Sequence, residues 1–141
     1  MDLIAPDPVF NLYNSDWPVY TYTPPLPPAK MARGGNGRSA EVIDSLLCQG
    51  SIVSGARVER SIVGPEVFID SDALVEDAIL FPGVVVGPGA HLKRCIVDKN
   101  VRVPAGYRVG IDTEVDAGRF TLSDSGIAVV EKDRVLGHDG R

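Results

Sequence analysis

By residue type, His91 is the side chain best suited to chemistry, because an imidazole can serve as the base of an acyl transfer or as a zinc ligand. His138 is the second of two histidines. A site of three histidines on one metal cannot be assembled from these two, which lie in different regions. His91 is therefore expected at an exposed corner, without a metal. Cys48 and Cys95 do not make a disulfide framework. Cys95 is expected as a buried, inert thiol, and Cys48 at a corner with no activating neighbour. Gly34-Gly35-Asn36-Gly37-Arg38 offers consecutive backbone N–H groups of the kind that cradle phosphate. No strand precedes it, so it reads as a plain flexible loop. Asp70, Asp72, Glu76 and Asp77 read as a solvated acidic face rather than a cation site. Lys99 interrupts a series of turns that otherwise take Gly or Pro, and Lys132 opens the polar stretch Lys132-Asp133-Arg134. Lysine supplies a movable point charge for phosphate, yet a lone exposed lysine is ordinarily only solvated. No catalytic residue and no metal site is assigned.

The elements that position these residues come from an internal repeat over residues 39–110. Ala56, Ala73, Ala90 and Tyr107 recur every 17 positions, as do Val58, Val75, Leu92 and Val109. Ser61, Ala78 and Cys95 form a third row, followed by rows of Ile62, Ile79, Ile96 and of Val63, Leu80, Val97. Further rows are Val67, Val84, Val101 and Ile69, Val86, Val103. Turn triplets such as Gly64-Pro65-Glu66, Phe81-Pro82-Gly83 and Asp98-Lys99-Asn100 separate them. An earlier copy, Val42 to Val53, fits with a spacing of 16, so one residue is missing there.

Each unit divides into about three short β segments, none long enough to form a sheet alone. Stacked coil on coil they pair in parallel, about 4.8 Å apart, and like side chains pile into a continuous core. Val and Ile suit such ladders. Ser61, Ala78 and Cys95 suit tight inward turns. Frequent Pro and Gly exclude a helical reading. The pattern thus predicts an all-β parallel β-helix, a hexapeptide-repeat-like solenoid over 39–141 with a C-terminal cap. Its handedness does not follow from the pattern.

Residues 1–38 carry seven prolines before Ala29 and most of the aromatics, from Phe10 and Trp17 to Tyr22. They read as a Pro-rich arm that packs onto something. Asp112 to Phe120 is expected as a turn or short helix, and Gly126 to Val130 as one more strand. A net charge of −5 gives nucleic-acid binding no electrostatic support. No apolar run approaches the roughly 20 residues of a membrane span, and the N-terminus lacks a signal peptide's pattern. A cytoplasmic protein is the expectation.

Three stretches carry a resemblance. Asn11 to Tyr22, with Trp17-Pro18-Val19-Tyr20-Thr21-Tyr22, precedes Leu26-Pro27-Pro28-Ala29-Lys30. Cys95-Ile96-Val97-Asp98-Lys99-Asn100 is the second, and Ser125-Gly126-Ile127-Ala128-Val129-Val130-Glu131-Lys132-Asp133 the third. In order and spacing the three resemble the C-terminal part of the glucose-1-phosphate adenylyltransferases (ADP-glucose pyrophosphorylases), with the first at the interdomain junction. The resemblance implies a left-handed solenoid. It implies a full enzyme, tetrameric and Mg²⁺-dependent, that joins ATP and glucose 1-phosphate into ADP-glucose and pyrophosphate for glycogen or starch synthesis. The catalytic domain of that enzyme is absent here, so this chain is expected to be inactive alone and to hold no cofactor. It implies a role in homo-oligomer contacts and in binding phosphorylated small-molecule effectors, with Lys99 and Lys132 at matching positions and Arg134 as an extension. Arg102 and Arg119 rank lower. The competing readings are a stand-alone hexapeptide-repeat acyltransferase using His91, and a structural solenoid without a ligand.

Overall fold

The computed structural model describes residues 2–20 and 24–137. His138 and Tyr22, both weighed above, lie outside them.

Three parallel sheets run along the axis of a solenoid. The first contains Lys30–Ala32, Ile52–Ser54, Phe68–Ile69, Val85–Val86 and Arg102–Val103. The second contains Glu41–Ile43, Arg57–Glu59, Leu74–Glu76, His91–Lys93 and Arg108–Val109. The third contains Leu46–Leu47, Ile62–Val63, Ile79–Leu80, Cys95–Val97 and Ala128–Val130. Among the described residues only Thr121–Leu122, at the outer edge of this last sheet, pairs antiparallel.

The pairing follows the expected columns. Val58 lies beside Val75, Ile62 beside Ile79, and Val86 beside Val103. Side chains alternate across each short strand, so one member points inward, or two in Cys95–Val97 and Ala128–Val130. Val53, Ile69, Val86 and Val103 do so from the first sheet, and Val58, Val75, Leu92 and Val109 from the second. Val63, Leu80, Val97 and Val130 do so from the third, and all these residues are buried. Packing of branched aliphatics from three directions supplies the cohesion that no segment of two or three residues has alone.

The register is 16 between the first two coils, as in Ile52 with Phe68, and 17 from Arg57 with Leu74 onward. The missing residue falls at the first corner, opposite Ser71. The loop Arg33 to Arg38 fills that space, with Gly34 so close to Gly55 that a Cβ on Gly34 would lie 3.0 Å from the Gly55 Cα. This loop is closed by Gly34 N donating to Arg38 O at 2.9 Å and by Arg38 N donating to Asn36 Oδ1 at 2.9 Å. The strand Lys30–Ala32, just before it, is already part of the first sheet and lies on the N-terminal side of the boundary expected at 38.

The tight corner between the second and third sheets repeats a backbone bend at Asp44, Arg60, Asp77 and Arg94, with φ between 44 and 47°. Small residues follow it, with Ser61, Ala78 and Cys95 buried, and a hydroxyl ladder satisfies the backbone. Ser61 N donates to Ser45 Oγ at 3.0 Å, and Ala78 N donates to Ser61 Oγ at 3.1 Å. Ser61 Oγ in turn donates to Glu59 O at 2.7 Å. Among the described residues no buried side-chain nitrogen or oxygen is left without a partner.

After Val109 the chain leaves the stack through Gly110. The helix α1, Thr113–Ala117, is capped by Asp112, whose side chain accepts from Glu114 N and Val115 N. Ala128–Val130 then re-enters the stack beside Cys95–Val97, and Val135 bridges to Arg102. The expected extra strand is therefore the start of a further coil, 33 residues on instead of 17. Its Leu136 is buried, continuing the row of Val103. Residues 2–20 contrast with this order. Trp17 is 83% exposed and Tyr20 91%, so among the described residues these rings are not packed against the solenoid. No helix among the described residues is long and apolar enough to cross a membrane.

Candidate functional site

The corner between the third and first sheets stacks Gly64-Pro65-Glu66, Phe81-Pro82-Gly83, Asp98-Lys99-Asn100 and Glu131-Lys132-Asp133 in successive coils. The third residue of each turn has positive φ, 57° at Glu66, 75° at Gly83, and 59° at both Asn100 and Asp133. Glycine adopts this region freely, and Asn and Asp tolerate it better than most residues.

Lys99 and Lys132, 33 positions apart in sequence, thereby occupy the same place in adjacent coils. Asp133 N donates to Lys99 O at 2.8 Å, Asp98 N to Val130 O at 3.0 Å, and Asn100 Nδ2 to Asp133 Oδ1 at 2.9 Å. Both lysines are exposed. The Lys99 ammonium lies 5.9 Å from the centre of the Phe81 ring one coil below, a cation–π contact that holds the stem against the corner. The corner is not purely basic, since Asp98, Glu131 and Asp133 share it. Asp98 Oδ1 accepts from Lys99 N at 2.7 Å. Two ammonium groups among three carboxylates attract a dianion only weakly by themselves, and a tight site there needs cations from a further surface.

Arg134 departs from this corner. It falls in the row of Val67, Val84 and Val101, which points inward. Because no described coil covers it, the side chain lies over the Phe120 ring at 5.4 Å and donates from Nη1 to Arg119 O at 3.2 Å. Arg119 lies over the Tyr107 ring at 5.8 Å. Arg102 is exposed on the outer face of the first sheet.

His91 is not an exposed corner residue. It lies in a strand of the second sheet, half-buried, with Nε2 2.9 Å from Glu76 Oε2. Lys93 Nζ is 3.8 Å from the same oxygen. Glu76 is thus drawn to its neighbours in the coil above. Asp77 instead pairs with Arg60, through Nε–Oδ1 at 2.8 Å and Nη2–Oδ2 at 3.0 Å, and Asp72 pairs with Arg38 at 3.0 Å. The acidic run of the sequence is dispersed by the coil geometry. Among the described residues no three His, Cys, Asp or Glu side chains group so as to hold a metal ion.

The Arg60 fork holds the Asp77 carboxyl below the usual carboxylate range. Burial does the opposite to Asp116, raising it, although its Oδ2 accepts from Gly110 N at 2.8 Å. Cys95 is buried, and burial, with the Asp116 charge second, pushes its thiol up to about 12. Cys48, half-buried, is raised by burial as well. Neither thiol has the depressed value of a nucleophile. The sequence reading passed over Asp116 and the Arg60–Asp77 pair. The triad Ala128-Val129-Val130, which repeats the small–branched–branched pattern of Ser61-Ile62-Val63, was the available signal for the extra coil.

The family of GlmU-like C-terminal hexapeptide domains matches residues 27–130. Several glucose-1-phosphate adenylyltransferases are similar along nearly the whole chain. That of Frankia casuarinae is 47% identical over 133 residues, covering 94% of this chain and 32% of that protein. That of Bifidobacterium longum is 47% identical over 96% of this chain and 33% of its own length. Glucose-1-phosphate adenylyltransferase 1 of Vibrio vulnificus is 44% identical over 98% of this chain and 34% of its own length. The chain thus spans about a third of the length of the relatives it matches.

Proposed function

Since this chain belongs to the GlmU-like C-terminal hexapeptide family and forms its left-handed parallel β-helix, we propose that it is the regulatory and subunit-contact part of a glucose-1-phosphate adenylyltransferase. The reaction itself, ADP-glucose and pyrophosphate from ATP and glucose 1-phosphate with Mg²⁺, belongs on this reading to the part of the relatives that this chain does not span. The chain contributes a share of an effector site for phosphorylated metabolites.

The observation that carries the reading is the stacking of Lys99 on Lys132 through the Asp133–Lys99 backbone bond. Two family-matched cations far apart in sequence share one corner, and the stiff corner backbone fixes their spacing. The interleaved acids explain why such a site must draw further cations from the rest of a subunit. The contact role is supported by the outer face of the third sheet. Leu46, Ile62, Ile79, Ile96 and Val129 stand in one outward row, all only half-buried. An apolar row of this length is unusual on a surface that stays wet, and it fits a homo-oligomeric assembly.

Heteronuclear NMR titration of the chain with fructose 1,6-bisphosphate and with AMP tests the effector role, beside Lys99→Ala and Lys132→Ala. Shifts centred on Asp98 to Asn100 and Glu131 to Asp133, lost in both variants, are expected at millimolar ligand. Shifts that ignore both substitutions would remove the lysine corner from the effector site.

A further inference from the structure

The end of the solenoid where the chain leaves and re-enters the stack is closed by rings and arginines. Tyr107 takes the place that Ala56, Ala73 and Ala90 hold in earlier coils, and with Phe120 it fills the space under the helix α1. Both rings are buried, at 7% and 8% exposure. The Arg119 guanidinium lies on the first ring and that of Arg134 on the second. Stacking fixes the plane of each guanidinium while leaving its N–H edge free for a ligand.

A cavity of about 270 Å³ opens between these two side chains. Its lining includes Arg119, Arg134, two glycines and two aliphatic residues, and no carboxylate among the described residues. The two arginines differ in this from three others in the chain. Arg38, Arg57 and Arg60 are all ion-paired, at 3.0, 2.7 and 2.8 Å. Neither Arg119 nor Arg134 makes an ion pair among the described residues. Two guanidiniums carry ten N–H donors, and among the described residues Arg134 Nη1 donates to the Arg119 carbonyl at 3.2 Å. Asp116 is close enough for Arg119 to act on its charge, but it lines the neighbouring groove and its Oδ2 is engaged by Gly110 N.

We propose that this end cavity is a binding site for a phosphate group, clamped between Arg119 and Arg134. The donor count selects the ligand. A carboxylate offers two oxygens to one fork, whereas the terminal oxygens of a phosphate can accept from two forks at once. The volume is just below the roughly 300–1,000 Å³ of ordinary small-molecule pockets, which suits a phosphate or a small phosphate ester. The site is separate from the lysine corner and does not depend on the effector reading. Lys99 and Lys132 stand at an outer corner, while the arginines close the end.

The full chain is titrated with inorganic phosphate, and separately with glycerol 3-phosphate, at constant ionic strength, reading the arginine Nε–H signals and the backbone amides of 118–120 and 134–137. Saturable shifts are expected. Arg119→Gln or Arg134→Gln should weaken them about tenfold or more. Arg→Lys variants, with thermal melts to establish folding, should lie between, because they keep the charge and lose the fork. Lys99→Ala combined with Lys132→Ala should leave the response intact. The tighter of the two ligands identifies the source, free phosphate or ester. The proposal is overturned by an absence of saturable shifts up to about 50 mM phosphate, by chloride giving the same response, or by a response that survives both Gln variants. It is equally overturned if the response disappears in the double lysine variant, for then the charge that matters is at the corner.

Discussion

Ser61→Ala removes one oxygen from the tight corner, and its cost follows from the local geometry. Ser61 is fully buried and its hydroxyl works twice, donating to Glu59 O at 2.7 Å and accepting from Ala78 N at 3.1 Å. Alanine fits the space, since Ala78 and Ala128 occupy the same row. The loss is therefore one of hydrogen bonding. The Ala78 N–H would remain in a fully buried residue without its acceptor, and an unsatisfied buried backbone group costs about 1–3 kcal/mol. The exchange opens almost no cavity, so the packing term adds little. At roughly 3–5 °C per kcal/mol for a chain of this length, the melting temperature should fall by about 3–15 °C. Thermal and urea melts followed by circular dichroism measure this. Ser61→Cys supplies an internal control, because Cys95 shows that a thiol fits the row, and it should restore part of the loss. An alanine variant that melts at or above the parent temperature would refute the claim that the hydroxyl, rather than the row's small size, secures this corner.

Two acids should pull the pH dependence of stability in opposite directions. Asp77 is held below its ordinary value of 3.8, so its contribution is present above that value and lost as pH falls through the lower folded value. Asp77→Asn should therefore melt lower than the parent near neutrality and approach it in acid. Asp116 is raised by burial, so protonation favours the folded state and stability is gained as pH falls through the raised value. Asp116→Asn should flatten that limb, and melts from neutral to acid pH separate the two cases. Cys95, with its thiol pushed up to about 12, should resist alkylation at pH 8 in the native chain and react once urea exposes it. Native labelling of Cys95 at the unfolded rate would contradict its burial. Ile79→Glu, in the outward row of the third sheet, should lower self-association in sedimentation runs at nearly unchanged melting temperature, and equal association would remove that face from the contact.

The solenoid was legible because its rows repeat at nearly constant spacing and each row demands one size of side chain. Ser61, Ala78 and Cys95 announce a tight buried corner by smallness alone. The rest was obscured where the spacing breaks. Ala128 continues the same row, but the helix α1 and the hairpin after it move it out of phase. Pairing on the outer surface was hidden for a related reason. Glu76 meets His91, 15 positions on, diagonally across a register that sets Glu76 beside Lys93. Asp77, its neighbour in sequence, turns the other way to Arg60. Lys99 and Lys132 were singled out by resemblance, and only the stacked coils explain how they share a corner. Arg134 shows the reverse. A charged residue in an inward row is a contradiction in mid-stack and becomes intelligible at the last coil, where the inward direction faces rings instead of another valine.

The departure from the stack between Gly110 and Ala128 has a consequence for how such a chain can change. The strands on either side meet as though nothing intervened, with Cys95 beside Ala128 and Ile96 beside Val129. Length added within that detour need not shift any row, and the entropy of closing a longer loop grows only logarithmically. A residue added or lost inside a coil has no such outlet and must be absorbed at a corner, as the shortened first corner and its glycine loop illustrate for a loss. Insertions and deletions inherited by chains of this architecture should therefore gather at the detour, leaving the rows as a fixed ruler against which their subunits can be aligned.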